Sequence, residues 1–370
     1  MQLTHRIQLK PTPAQADYFV RACSTARFVW NWALAEWNRQ YAAGQKPRAM
    51  AIKKQFNAIK YQRYPWLRGI HRDAHSQPFE HIDRAWKRFV GEVRSGSKPH
   101  APRFKHKGRC RDSFYVANDR FKVSGQIVRL PLIGEVTMTE VLRFTGKILG
   151  ATVSRTAQRW FIAIQVEVPD AQYRRPRTAD GVVGVDLGVK CAVTLSTGEM
   201  VHSPMPLKAA LRRVRIRSRR LSRKVETARA QQKLIHGPHL PCRKRLPLTG
   251  NRRKSSEALA RLHGRIARTR ADFTHKLTTR LCRENQTVVI EDLNVKGMLA
   301  NERLARAIAD VGFGALRSQL EYKARRYGTQ IILADRWLTP DLVETDVQNR
   351  AIQSGFLPAP LARLPSGVAR

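Results

Sequence analysis

The chain has 370 residues and carries 69 Lys and Arg against 28 Asp and Glu, a net charge of +41. That excess opposes compaction unless a polyanion neutralises it, so nucleic acid is the first partner to consider and an anionic membrane surface the second. No apolar run is long enough to span a bilayer, the start MQLTHRIQLK lacks a signal-peptide core, and five scattered cysteines without C-x-x-C spacing exclude a disulfide framework and a zinc knuckle. The expectation is a nucleic-acid-binding protein of the cytoplasm with reduced thiols and room for two or three domains.

Residues 2–9 alternate as a strand. PTPAQ then offers Thr12 as a helix cap, Pro13 at the first helical position and Gln15 as the reciprocal cap of a helix running to about Tyr41. Gly44 and Pro47 end it. Further helices are expected over about 49–60 and 77–93, the latter with Phe79, Ile82, Trp86 and Val90 at helical spacing. A Pro/Gly/Lys-rich connector spans 95–109, and short strands in series to about Val168 suggest a small barrel. Residues 169–180 read as a linker. Strand-like runs at 182–187 and 191–195 then fit a hairpin ending at Thr197–Gly198. A basic helix follows, apolar at Leu207, Leu211, Val214, Leu221 and Val225. A second long helix is apolar at Leu259, Leu262, Ile266, Phe273, Leu277 and Leu281. QTVVIEDLN reads as a buried strand, 303–327 as a helix and TQIILADRW as a last strand, which suggests an α/β domain with a mixed sheet.

Two acids share a context. Asp186 follows VVGV and Glu291 follows TVVI, each a β-branched run suited to a central strand. A buried carboxylate is costly unless paired or bound to a metal, and two on neighbouring strands repel unless a cation such as Mg²⁺ joins them. The alternative for Asp186 is a turn, in which Asp bonds its own backbone and Gly188 permits positive φ. For Glu291 it is a solvated strand end or a charge at a helix start.

The strings GVVGVDLGVKCAVTLSTGE, TVVIEDLNVKGM and AIADVGFGALRSQLEYKARRYGTQIILADRW resemble the TnpB (OrfB) family of insertion-sequence-encoded transposases, which includes RNA-guided DNA endonucleases. HRIQLKPTPAQ, ARFVWNWALAEW and Pro102–Phe104 resemble the family's start, so the likeness covers roughly residues 1–337. It implies an RNase H-like (RuvC) mixed-sheet nuclease domain over 181–337. It also implies a wedge-type, oligonucleotide-binding β-barrel over 1–10 and 95–168, and an inserted helical recognition domain over 11–94, joined to the nuclease domain by the linker 169–180. It implies Asp186 and Glu291 as catalytic acids and metal ligands in a two-metal Mg²⁺ site. The implied partners are a guide RNA from the transposon end and a double-stranded DNA target, selected with the help of a short adjacent motif.

The family's zinc ribbon and third acid find no match. Residues 338–370 read as an irregular tail, explained most simply by truncation or frameshift after Trp337. Zinc is not expected, and Asp341, Glu344 and Asp346 read as exposed charges. Cleavage is therefore expected to be weakened, with a cleavage-dead RNA- and DNA-binding repressor, or a decayed remnant, as the alternatives.

The phosphate-binding candidates are Lys190, Arg212, Arg213, Arg215, Arg219, Arg220, Lys224, Arg252, Arg253 and Lys254, set against the plainer reading of solvated helix faces. Trp30, Trp32 and Trp37 suit the core of the first helix better than base stacking. His275 suits a packed or capping role, and Glu321 is spaced to pair with Arg325.

Overall fold

The computed structural model describes residues 1–236, 246 and 249–334, which fall into two compact units divided after Tyr173. In the first unit, β1 (Gln2–Lys10) leads into α1 (Pro13–Ala42), α2 (Ala49–Arg63), a 3-10 turn over Pro65–Gly69 and α3 (Arg72–Arg94). The strands β2 (Ser113–Ala117), β3 (Lys122–Ser124), β4 (Ile127–Leu130), β5 (Gly134–Met138), β6 (Lys147–Thr156) and β7 (Arg159–Glu167) follow, then one helical turn, α4 (Asp170–Tyr173). All seven strands pair antiparallel in the order β2-β6-β7-β1-β5-β4-β3.

The recorded pairs leave β2 and β3 as edges. Alternate residues of the strands, such as Ile7, Leu9, Val153, Ile162 and Ile164, bury one face against Phe19 and Ala22 of α1. The Thr12–Gln15 capping box forms as its sequence predicts. The same Gln15 Nε2 donates to the Glu135 carbonyl at 2.8 Å, which ties the start of α1 to β5. Further along, Val29, Leu34, Ile52, Phe56, Leu67, Phe79 and Ile82 form a separate helical core. Trp30 is buried in it, and Trp32 and Trp37 pack against it.

The second unit holds β8 (Gly181–Asp186), β9 (Val193–Leu195), β10 (Met200–Val201), α5 (Pro206–His236), α6 (Gly250–Glu284), β11 (Asn285–Glu291), α7 (Val295–Met298), α8 (Ala305–Val311), α9 (Phe313–Tyr327) and β12 (Gln330–Ala334). Its sheet runs β10-β9-β8-β11-β12; β8, β11 and β12 are parallel, and β9 and β10 antiparallel, so it is mixed. Of the parallel strands only β11 is buried on both faces, through Val288, Val289 and Ile290, as a central parallel strand should be; β8 buries Val183 and Val185 and leaves Val182 exposed. Val183, Val185, Val288 and Ile290 pack on Leu277, Leu281, Phe313, Leu316 and Leu320 from α6 and α9.

The expected helix over 303–327 is two helices. Gly312, with φ of 85°, closes α8 in the left-handed conformation and starts α9. Among the described residues no helix is long and apolar enough to cross a membrane. The proposed tail, Asp341, Glu344, Asp346 and the end of the last predicted strand lie outside the described residues.

Candidate metal and nucleic-acid site

Asp186 and Glu291 end two strands that lie side by side. The parallel register runs Val288–Val183, Val289–Gly184, Ile290–Val185, so the next position opposes Glu291 to Asp186. Paired strands lie about 4.8 Å apart, and residues at one register position point to the same face. Val185 and Ile290, one residue back, face the core, so both acids take the opposite face at the carboxyl ends of the strands. Asp186 is exposed and Glu291 half-buried.

Asp186 pairs with Thr194 through the sheet, but its carboxylate makes no hydrogen bond or ion pair among the described residues, so the bond to its own backbone that defines the turn reading is missing. Gly188 is needed for a different reason than positive φ: a Cβ there would stand 2.8 Å from the Cys191 carbonyl oxygen. Asp292, next to Glu291, is drawn to Arg317 of α9, which also binds Glu321 at 3.1 Å. The Glu321–Arg325 pairing is thus replaced by pairing one turn earlier, because Arg317 reaches two acids at once. Asn294 caps α7 by accepting from the Gly297 amide at 2.9 Å.

Two carboxylates in register are hard oxygen donors. They fit a magnesium ion, which is commonly held by one or two carboxylates with water and phosphate filling the remaining positions. Among the described residues no three of His, Cys, Asp and Glu gather as a metal-holding group.

The basic candidates divide by what already holds them. Lys190 is exposed in the loop after Asp186, and Arg212, Arg213, Arg215, Arg219 and Arg220 are exposed along α5. None of the five arginines has an ion-pair partner among the described residues. Lys224 is different, because its Nζ donates to Ser255 Oγ at 2.6 Å and to the Asn251 carbonyl at 3.2 Å. Together with Arg217 on the Ala258 carbonyl at 2.7 Å, it fastens α5 antiparallel to α6. Arg252 donates to the Leu246 carbonyl at 3.1 Å, Arg253 lies 3.8 Å from Glu257, and Lys254 is exposed.

Asp310 is a positioning group that sequence reasoning missed. Buried on α8, it accepts from the Leu207 and Lys208 amides at 2.9–3.0 Å and pairs with Arg270 at 3.0 Å. It thereby occupies the positive end of α5 and sets where the arginine-bearing helix begins. Its only sequence signal was an acid amid the apolar residues of AIADVGF. His275 is exposed rather than packed, with Nδ1 3.4 Å from the Tyr322 hydroxyl.

Residues 163–302 match the OrfB_IS605 family, described as "Probable transposase", and residues 1–46 match a "Helix-turn-helix domain". In those first 46 residues the structure has a strand and one unbroken helix. A protein of Streptomyces pristinaespiralis named "Putative RNA-guided DNA endonuclease" is 31% identical over 334 residues, covering 88% of this chain and 76% of the relative. "Putative RNA-guided DNA endonuclease InsQ" of Escherichia coli K12 is 28% identical over 380 residues, covering 95% and 86%. "Putative RNA-guided DNA endonuclease MT2953" of Mycobacterium tuberculosis is 29% identical over 370 residues, covering 90% and 76%. A solved Cas12f1–sgRNA–target DNA complex overlays at a TM-score of only 0.27 and 12% identity, covering 90% of this chain and 85% of that one. The class is that of transposon-encoded proteins of the OrfB type. The chain belongs to the TnpB (OrfB) family, whose relatives bear the name RNA-guided DNA endonuclease.

Proposed function

We propose that this chain is an RNA-guided DNA endonuclease in which Asp186 and Glu291 hold catalytic magnesium. The observation that carries the reading is the register of β8 and β11, which sets the two acids at adjacent positions on one face. When bound, magnesium would activate a water and stabilise the leaving oxygen of a phosphodiester. The chain's own part is to fix the two carboxylates at the ends of paired strands, with Lys190 four residues beyond Asp186 available to a phosphate. The exposed arginines of α5 supply affinity and register on a polynucleotide, without reading its sequence.

In this reading the five-stranded sheet with its helices, 181–337, is the RuvC-type domain. Residues 1–10 and 95–168 are the wedge-type barrel, 11–94 the inserted recognition helices and 169–180 the linker. The guide comes from the transposon-end RNA, the target is double-stranded DNA, and the protein works beside that DNA in the cytoplasm.

The test is cleavage of supercoiled plasmid by the full chain with transposon-end RNA and Mg²⁺. Cutting that disappears in Asp186→Ala and in Glu291→Gln, while RNA binding is retained, is the expected result. Tight RNA and DNA binding by the unaltered chain without any cutting would overturn the endonuclease assignment.

A further inference from the structure

From Trp37 through Arg72 the chain carries nine Lys and Arg and no Asp or Glu. This stretch also holds three large aromatic rings that face solvent, of which Tyr41, at the end of α1, is 74% exposed. Trp66, in the 3-10 turn, is 49% exposed, and Tyr61, near the end of α2, is 40% exposed. The other aromatic residues around them are used internally: Phe56 is fully buried, and Phe28 and Tyr64 pack against the helical core.

Trp66 is not loose. Its ring meets Phe28 edge-on at 5.4 Å, Phe28 meets Tyr64 at 4.9 Å, and Tyr64 stacks on Phe56 at 6.2 Å. The exposed indole is therefore the outer member of a chain of rings anchored in the core. A ring held this way loses little freedom when something stacks on it. Tyr61 has cations at its ring: Lys60 Nζ lies 4.7 Å and the Arg68 guanidinium 5.8 Å from the centroid. Arg63 and Arg68 are exposed. Burial, then the nearby Lys53 and Arg72, lower the pKa of Lys60.

An exposed aromatic ring beside cations matches one ligand chemistry well. A nucleobase offers a π-face to the ring, and its phosphates answer the cations. A duplex keeps its bases stacked on one another, so the base must be unpaired. We propose that Trp66, assisted by Tyr61, is a stacking seat for an unpaired nucleobase, with Lys60, Arg63 and Arg68 taking the adjoining phosphates. This rests on the nucleic-acid reading above and adds to it a residue that touches a base.

The test measures binding of the full chain to a short labelled oligothymidine, an oligouridine, and an abasic strand with the same number of phosphates. Trp66→Ala should weaken binding to a base-bearing strand about five- to 100-fold. It should leave the abasic strand, and the slope of log affinity against log salt, unchanged, because stacking releases no counterions. The DNA and RNA arms show which polynucleotide supplies the base. Trp66→Phe should keep most of the affinity that Trp66→Leu loses, which separates the ring from mere bulk.

Equal losses on base-bearing and abasic strands, or no loss on either, overturn the stacking seat while leaving salt-sensitive binding intact. Absence of salt-sensitive binding by the unaltered chain overturns the nucleic-acid reading itself. A dimer in sedimentation that Trp66→Ala dissolves makes the patch a contact between copies and also overturns the proposal.

Discussion

Lys323 brings a primary amine into the packing between α6 and α9 with no carboxylate partner among the described residues. Its three protons are all used, on the His275 carbonyl at 2.6 Å and the hydroxyls of Thr278 and Thr279 at 2.7 and 2.8 Å. Burial lowers its pKa from 10.5 to about 8. The folded chain thus holds this proton less tightly than the unfolded chain. Between about pH 8 and 10.5 the unfolded state binds more protons, and this group adds stability as pH rises. Urea midpoints measured from pH 7.5 to 10 should show this: Lys323→Met should lack a rise that the unaltered chain displays. Parallel curves for the two proteins would refute the account. Nothing in EYKARR announces such a lysine, since burial of its amine depends on threonines some 45 positions earlier in the chain.

At the scale of elements, Gly312 shows how one backbone conformation divides a helix. The apolar pattern of AIADVGFGALRSQL continues through it, so periodicity alone gives one helix where there are two. A side chain at Gly312 would be strained by the positive φ and would meet Arg270 Cδ at 3.1 Å. Gly312→Ala should therefore destabilise by about 1–2 kcal/mol from the left-handed conformation alone, read as a drop in the thermal midpoint. Crowding of Arg270 would also loosen its grip on Asp310, and through it the start of α5.

Other parts were plainer in the sequence. TVVIE reads as a strand buried on both faces and is one, VVGVD reads the same way but leaves Val182 exposed, and Thr12 with Gln15 carried its own cap. The pairing of β8 with β11 was not readable, since it joins segments about a hundred residues apart through side-chain packing. Nor did the helical wheel tell Lys224, fastened to α6, from Arg219, whose side chain bonds nothing among the described residues.

For the whole molecule, the charge of +41 makes binding a matter of counterions. Affinity for a polynucleotide should fall steeply as salt rises. Changing Arg212, Arg215 and Arg219 together to Gln should reduce the magnitude of the log–log slope by about one for each arginine on a phosphate. Lys224→Gln should instead lower stability and leave the slope nearly unaltered, because its amine already serves the α5–α6 seam. Titrations at several potassium concentrations would separate the two, and equal slope changes for both would contradict the division.

The strand register has a consequence for how such a protein can be remodelled. Between the two neighbouring strands that carry the acids, the chain first adds β9 and β10 to the sheet and then makes an excursion along α5 and α6. The excursion is fastened at its roots, by Asp310 where α5 begins and by Leu277 and Leu281 where α6 ends. Farther out, the two helices chiefly hold each other, through Ala210, Leu262 and Ile266 and then the Lys224 seam. Whole turns could be removed in matched pairs from that outer stretch, or grafted onto it, without shifting either carboxylate. Evolution and the protein engineer thus have an arm of adjustable reach whose length is uncoupled from the spacing of the acids.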